Sequence, residues 1–391
     1  MNLTFLPDAL SIPLMRCLAA IAVLCSTSSA ADRPNVIVLL CDDLGYGDLK
    51  CFGHPDVITP NLDKLADGGM RLTNCYSASP VCSPSRAGLL TGRTPNRLGI
   101  RDWIPANSGV FLRPGEITIP MLLKQGNYKT CHVGKWHLNR KTDGTEPTPG
   151  DFGFDHWLYT QNNAAPSHVN PKNFVRNGQQ VGALRGPSSH VVVSEAIKWL
   201  DTLKLDGVKK EPFFLNVWFH EPHEPVAAAD EFLALYLHEN NLDRRHYLAD
   251  ITQMDAAVGK LMAYLDGQRL AENTLIYFSS DNGPETLNRY KSAHRSYGMP
   301  GPLRGMKLHV TEAGYRVPGI IRWRASKQGS SATNRCAGWT CCPRPANSPA
   351  WTSPETASWT EQACCRSLRG SRSRENFRST GNMIPRSAAR G

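Results

Sequence analysis

The sequence predicts an α/β fold: one large, mixed but mostly parallel sheet with helices on both faces. Five short runs are rich in aliphatic, β-branched and aromatic residues: NVIVLL (35–40), YKTCHV (128–133), PFFLNVWF (212–219), TLIYFSS (274–280) and GIIRW (319–323). Runs of that length without polar alternation read as strands covered on both sides. Helical periodicity lies between them. It is clearest over 243–270, where Ile251, Met254, Val258, Leu261 and Leu265 share one face at 3.6-residue spacing. Strands separated by helices fold most simply as parallel crossovers. At 391 residues, 41% hydrophobic and 20% charged, the chain is long enough to bury a sizeable core and ordinary for a globular protein. No internal repeat is visible.

Taken in order, the N-terminus reads as an export signal over residues 1–30. Arg16 precedes the apolar run CLAAIAVLC and the small polar stretch STSSAAD, and Ser28-Ser29-Ala30 fits a cleavage site. The apolar run is about half of the ~20 residues a membrane span needs, so no membrane anchor is expected. Leu24 is bulkier than the small residue that precedes a lipidated cysteine, which argues against lipidation at Cys25. The predicted destination is the periplasm or the exterior.

The formal charge of +10 does not indicate nucleic acid. Residues 326–391 hold one Lys, nine Arg and three Glu, a net of +7, which leaves +3 for the first 325. Of twelve cysteines, two lie in the signal and five in the tail. The body keeps Cys41, Cys51, Cys75, Cys82 and Cys131. That number is odd, so in an exported protein at least one thiol asks for an explanation. No C-x-x-C pair in the body offers structural zinc spacing.

Each buried run is followed directly by polar residues of unusual kinds. NVIVLL leads into CDDLGYGD, YKTCHV into GKWHL, PFFLNVWF into HEPHEP and TLIYFSS into DNGP. Ligands of open α/β sheets bind beyond the carboxyl ends of the strands. Asp42 and Asp43 are consecutive and would point oppositely in a strand, so they converge only where the chain bends, which Gly45 and Gly47 permit. Asp281 and Asn282 pose the same problem beside Gly283-Pro284. Three carboxylates and an amide are oxygen ligands suited to Ca²⁺ or Mg²⁺; turn and cap chemistry is the competing explanation. Lys135 and His137 alternate around Trp136 and face one side of an extended segment. His220 and His223 carry a weaker signal, and one of them is expected to be structural. In VCSPSRAGLLTGR (81–93), Pro84 suits a first helical turn and Gly92 a C-terminal stop. Cys82 then sits at a helix N-terminus, which favours negative charge, with Arg86 able to turn back towards it. A structural thiol, a cysteine nucleophile and a chemically converted cysteine all compete here. The 142–189 stretch, rich in Gly, Pro and Asn, reads as a loop-rich excursion that shapes a pocket rim.

These residues carry a resemblance. CSPSR followed by AGLLTGR is similar to the sulfatase signature C-x-P-x-R with its Leu-Thr-Gly-Arg continuation. DDLGYGD, TPNLDKLADGG, GKWHL, SSDNGP and LRGMKLHVTEAGYRVPGIIRW resemble the other sulfatase blocks in order, the last departing at Met306 and Ala313. The resemblance runs from about Arg33 to Trp323 and is strongest to the arylsulfatase A and N-acetylgalactosamine-6-sulfatase branch. It implies an alkaline-phosphatase-like fold with a catalytic domain over 31–325, and hydrolysis of sulfate esters of a small molecule or glycan. It implies that a separate formylglycine-generating enzyme oxidises Cys82 to an aldehyde whose hydrate attacks sulfur. It further implies one Ca²⁺ ion, ahead of Mg²⁺, held by Asp42, Asp43, Asp281, Asn282 and the converted Cys82. Arg86 would hold the hydrate, and Lys135, His137 and Lys307 the sulfate oxygens. His223 would protonate the leaving oxygen, with His220 in reserve. Two other readings stay open at this stage: a phosphodiesterase or phosphonate hydrolase of the same superfold, and an inactive sulfatase-like binding protein.

After Arg324 the composition changes. Residues 326–391 hold no Val, one Leu and one Ile. Such a stretch supplies no core strands and is expected to be a disordered tail in place of the family's smaller C-terminal subdomain. A shifted reading frame would produce that change, with a lineage-specific tail as the alternative.

Overall fold

The structure is a computed structural model that describes residues 33–203, 205, 211–291, 294–323, 328–332 and 336–337. The predicted signal over 1–30 and most of the 326–391 tail lie outside them.

The strands are β1 (Asn35–Cys41), β2 (Met70–Tyr76), β3 (Lys129–Lys135), β4 (His156–Thr160), β5 (Val175–Arg176), β6 (Gln179–Gln180), β7 (Phe213–Trp218), β8 (Thr274–Ser280), β9 (Arg316–Arg322), β10 (Ser330–Ala332) and β11 (Cys336–Ala337). They form one sheet in the order β10-β2-β9-β8-β1-β7-β3-β4-β5-β6, with β11 also on β2. The central five, β8-β1-β7-β3-β4, are mutually parallel. Strand β9 runs antiparallel to both β8 and β2. The sheet is therefore mixed and mostly parallel at its centre, as the sequence predicts.

Helices α1 (Pro60–Asp67), α2 (Cys82–Thr91), α3 (Ile119–Gln125), α4 (Ser188–Leu200) and α5 (Leu242–Gly267) cover it. Alternation along β1 shows the two layers. Ile37, Leu39 and Cys41 pack with the apolar faces of α1, α4 and α5. Val36, Val38 and Leu40 pack with residues of α2 and α3. Helix α5 begins where the Asn241 side chain accepts a hydrogen bond from the Arg244 amide at 3.1 Å, so a side-chain cap satisfies one of its free N–H groups.

The loop-rich 142–189 stretch also supplies β4, β5 and β6, which extend the sheet beyond β3. These strands are short, and polar residues such as Gln179 and Gln180 are exposed, so no long apolar run marks them. Within the tail, Ser330–Ala332 and Cys336–Ala337 pair in parallel with β2 through backbone bonds that need no aliphatic side chain.

Candidate active site

The C-terminal ends of β1, β3, β7 and β8 meet the N-terminus of α2 at one edge of the sheet. The β1–β8 register pairs Cys41 with Ser280, so Asp42 and Asp281 leave the sheet side by side. The Asp281 amide donates to the Cys41 carbonyl at 3.0 Å, and the Asp42 amide to the Glu221 carbonyl at 3.1 Å, which joins the segment after β7 to the same edge. The bend that brings Asp42 and Asp43 together is made by Asp43 itself, whose φ is 65°. The neighbouring glycines serve a different end: a Cβ on Gly45 would lie 2.5 Å from the Met299 carbonyl oxygen. Turn propensity pointed to the right segment and the wrong residue.

Asp42, Asp43 and Asp281 each place a carboxylate oxygen within 4.8 Å of the others, and all are buried. Asp43 accepts from Asn282 Nδ2 at 2.8 Å, and its amide donates to Asp281 Oδ1 at 3.3 Å. Cations surround the cluster. Arg86 is fully buried, donating through Nε to Asp281 Oδ2 at 2.9 Å and through Nη1 to the Lys135 carbonyl at 3.0 Å, with Asp42 Oδ1 at 3.6 Å. Lys135 Nζ pairs with Asp42, and Lys307 Nζ with Asp43 Oδ2 at 2.7 Å. Burial opposes ionisation of Asp42, yet Lys135, His223, Arg86 and Lys307 hold it well below the usual carboxylate range. Burial, reinforced by the charge on Asp42, pushes Asp281 up to about 7. Acceptors remain: Asn282 Oδ1 and Asp42 Oδ1 are buried with no hydrogen-bond donor. An all-oxygen cluster with like charges crowded together and lone pairs unused fits a hard divalent cation.

Cys82 is the first residue of α2, and Gly92 closes that helix in the left-handed region at φ 67°. Its Sγ lies within 4.8 Å of ligand atoms of Asp42 and His223. Burial pushes the thiol up to about 11, against the pull of Lys135 and Lys307. The Cys82 thiol is free. A cleft lined by Asp43, Cys82, His137, His223 and Lys307 opens from this point. His137 has φ 57° and two buried ring nitrogens without partners. Burial, with Lys135 and Arg86 nearby, keeps it neutral. The Nδ1 of His223 bonds the Glu224 carbonyl, leaving Nε2 facing Asp43 Oδ2 at 3.6 Å.

The two histidines of HEPHEP separate here. His220 is fully buried and does not line the cleft; its Nε2 bonds the Thr160 hydroxyl at 2.7 Å and its ring packs edge-on against Phe174. His223, by contrast, lines the cleft. Sequence reasoning missed Ser280, whose hydroxyl accepts from the Leu44 amide at 3.0 Å and shapes the β1 bend. It also missed the outer cleft walls, Trp103, Asn162, Glu224, Glu285, Arg289 and Tyr290. A lone Trp between Asp102 and Ile104 carries no pattern; Glu224, inside HEPHEP, and Asn162, inside the 142–189 excursion, lay in segments already singled out.

Comparison with known proteins follows the same outline. The family model described as sulfatase matches residues 34–336. Rat N-acetylgalactosamine-6-sulfatase is 33% identical over 330 residues, covering 79% of this chain and 60% of the relative. Human arylsulfatase A is 33% identical over 316 residues, covering 75% of this chain and 60% of the relative. A crystal structure of Ps i-CgsB in complex with k-i-k-neocarrahexaose superposes with a TM-score of 0.70 at 30% identity, covering 79% of this chain and 70% of that one. The chain spans about three fifths of the length of the curated relatives it matches first. Among the described residues, no helix is long and apolar enough to cross a membrane.

Proposed function

The chain belongs to the sulfatase family, and from that premise we propose that it is an exported hydrolase of sulfate esters borne on carbohydrate. The observation that carries the reading is the pairing of a buried oxygen cluster with a cationic ring, Arg86, Lys135 and Lys307, around residue 82 at a helix N-terminus. Such an arrangement holds an anionic tetrahedral group against a nucleophile. The carbohydrate assignment is supported by the names of the relatives and by the oligosaccharide bound to Ps i-CgsB.

In this reading Cys82 is matured to formylglycine by a separate generating enzyme, and its hydrate supplies the attacking oxygen. Asp42, Asp43, Asp281 and Asn282, with the converted residue 82, would hold Ca²⁺, which supplies Lewis acidity at the sulfate and its nucleophile. Arg86 fixes Asp281 and the β3 end, so it keeps the ligand oxygens and residue 82 in register. His137 and Lys307 line the cleft where sulfate oxygens gain charge, with the buried Lys135 behind them on Asp42, and fixed cations and donors there favour the transition state. His223 is the group placed to protonate the leaving oxygen through Nε2, because Nδ1 is already committed to Glu224. Burial, then Lys307 and Lys135, hold His223 neutral in the resting site. A sulfate anion bound between those lysines offsets their field, and proton uptake by His223 accompanies binding.

The test is expression with and without a formylglycine-generating enzyme, followed by assays on 4-nitrophenyl sulfate and 4-nitrophenyl phosphate. Maturation-dependent turnover of the sulfate, together with an aldehyde in place of the Cys82 thiol by peptide mass spectrometry, is expected. Preference for the phosphate, or a Cys82 thiol retained in fully active protein, would overturn the reading.

A further inference from the structure

The outer cleft has two walls with different chemistry, each tied to the reaction centre. On one side stands Trp103, 47% exposed, with its ring 6.4 Å from that of His137. Its position is fixed from the nucleophile motif, because Ser83 Oγ accepts the Ile104 amide at 3.0 Å. On the other side stands Arg289. Its backbone amide donates to Glu224 Oε2 at 2.9 Å, and Glu224 Oε1 accepts the Ser296 amide at 2.8 Å. Glu224 is 1% exposed and adjoins His223, so one buried carboxylate ties this wall to the group that protonates the leaving oxygen. The Arg289 Nε pairs with Glu285, itself buried and braced by the amides of Thr286 and Leu287 at 2.8 Å each. Its Nε is thereby committed, while the side chain stays 37% exposed. Neither terminal nitrogen of Arg289 has a partner among the described residues, although the chain orients the guanidinium at the cleft mouth.

We infer that Arg289 recognises a second anionic group, a carboxylate or sulfate, on the glycan that carries the scissile sulfate, with Trp103 as the apolar platform for the sugar ring. The inference rests on the sulfatase reading above and deepens it: the substrate is an acidic glycan, not a neutral sugar with a single sulfate. A planar guanidinium fork held by one edge and open at the other suits a carboxylate or sulfate, and such charge-assisted pairs add affinity as well as geometry. The sulfate-binding lysines lie deeper, at the metal ligands, so Arg289 is surplus to holding the scissile group.

The experiment compares matured wild type with Arg289→Ala, Arg289→Lys and Trp103→Ala. The probes are 4-nitrophenyl sulfate, N-acetylgalactosamine 6-sulfate and the unsaturated chondroitin 6-sulfate disaccharide, which adds a uronate. The expected result is a wild-type preference for the disaccharide over the monosaccharide. Arg289→Ala should lower that kcat/KM ratio about 10- to 100-fold. Arg289→Lys, which keeps a charge beside Glu285, should restore part of it, and Trp103→Ala should lower both sugar activities together. Loss of the same factor on all three probes would make Arg289 a sulfate-binding or purely structural residue and overturn the inference. An unchanged disaccharide-to-monosaccharide ratio in active protein would also overturn it while leaving the sulfatase reading intact. Absence of turnover by the wild type on every probe would overturn both.

Discussion

Gly283 offers a severe test of how the metal-ligand edge is built. It follows Asp281 and Asn282, and its amide donates to the Gly314 carbonyl at 3.0 Å. A Cβ added here would stand 1.6 Å from the Ala313 carbonyl oxygen. Ordinary contact begins at 3.4 Å, so one backbone must retreat by about 1.8 Å, and no flexible side chain can absorb the move. Overpacking of this kind costs about 1–3 kcal/mol, and the loss of the Gly314 bond adds about 1 kcal/mol, so Gly283→Ala should destabilise the protein by roughly 2–4 kcal/mol. The retreat falls on the residues that carry Asp281 and Asn282. A misplacement of about 1 Å in a catalytic constellation can cost about 100-fold in rate, so kcat/KM should fall at least that far. Gly267→Ala is the control: it lies at the end of α5 with nothing within 4 Å of the added carbon, and should be neutral or slightly stabilising. Melting curves with and without added Ca²⁺, together with 4-nitrophenyl sulfate kinetics, read both effects. A Gly283→Ala protein with wild-type melting and wild-type kcat/KM would refute the reasoning, because the Ala313 carbonyl could not then be where the structure has it.

Other outcomes follow from the same geometry. Lys135→Ala and His223→Ala should each lower kcat about 10²–10⁴-fold without abolishing turnover, and single-turnover kinetics should place the loss in the chemical step. Chelation should lower both activity and melting temperature, because Asp42, Asp43 and Asp281 then repel one another, and Ca²⁺ should restore both. Asp281→Asn should weaken that rescue, as seen in calcium titration by calorimetry. At acid pH, Glu195 contributes. Despite burial, His156 and Arg176, the latter at 2.6 and 2.8 Å, hold it at about 2 against an ordinary 4.5. A depressed carboxylate contributes stability that is fully present above 4.5 and is lost as pH falls towards 2. Glu195→Gln should therefore lower stability at neutral pH and flatten the acid limb of a urea-melt profile between those values; an unchanged slope there would count against the pairing.

The sequence by itself determined four of the five central strands, β8, β1, β7 and β3, and the edge where chemistry gathers. Continuous apolar runs such as 274–280 are local statements, and the residues that follow each run leave the sheet at the same end whenever the strands are parallel. Asp42, Asp281 and Lys135 were legible for that reason, Cys82 from the helix start and stop signals around it, and the motif resemblance added His223 and Lys307. Tertiary structure alone decided the rest. His220 and His223 share one hexapeptide, and only the packing of Thr160 and Phe174 against the first and Lys307 near the second separates them. The bend at Asp43 is imposed by bonds from Asn282 and Lys307, more than 230 residues away, and these outweigh the local preference for glycine. Trp103 and Arg289 face one cleft although 186 positions separate them, because Ser83 anchors one wall and Glu224 the other. Periodicity reports which face of an element is apolar. Which polar side chains meet across the cleft depends on long-range hydrogen bonds that leave no period in the chain.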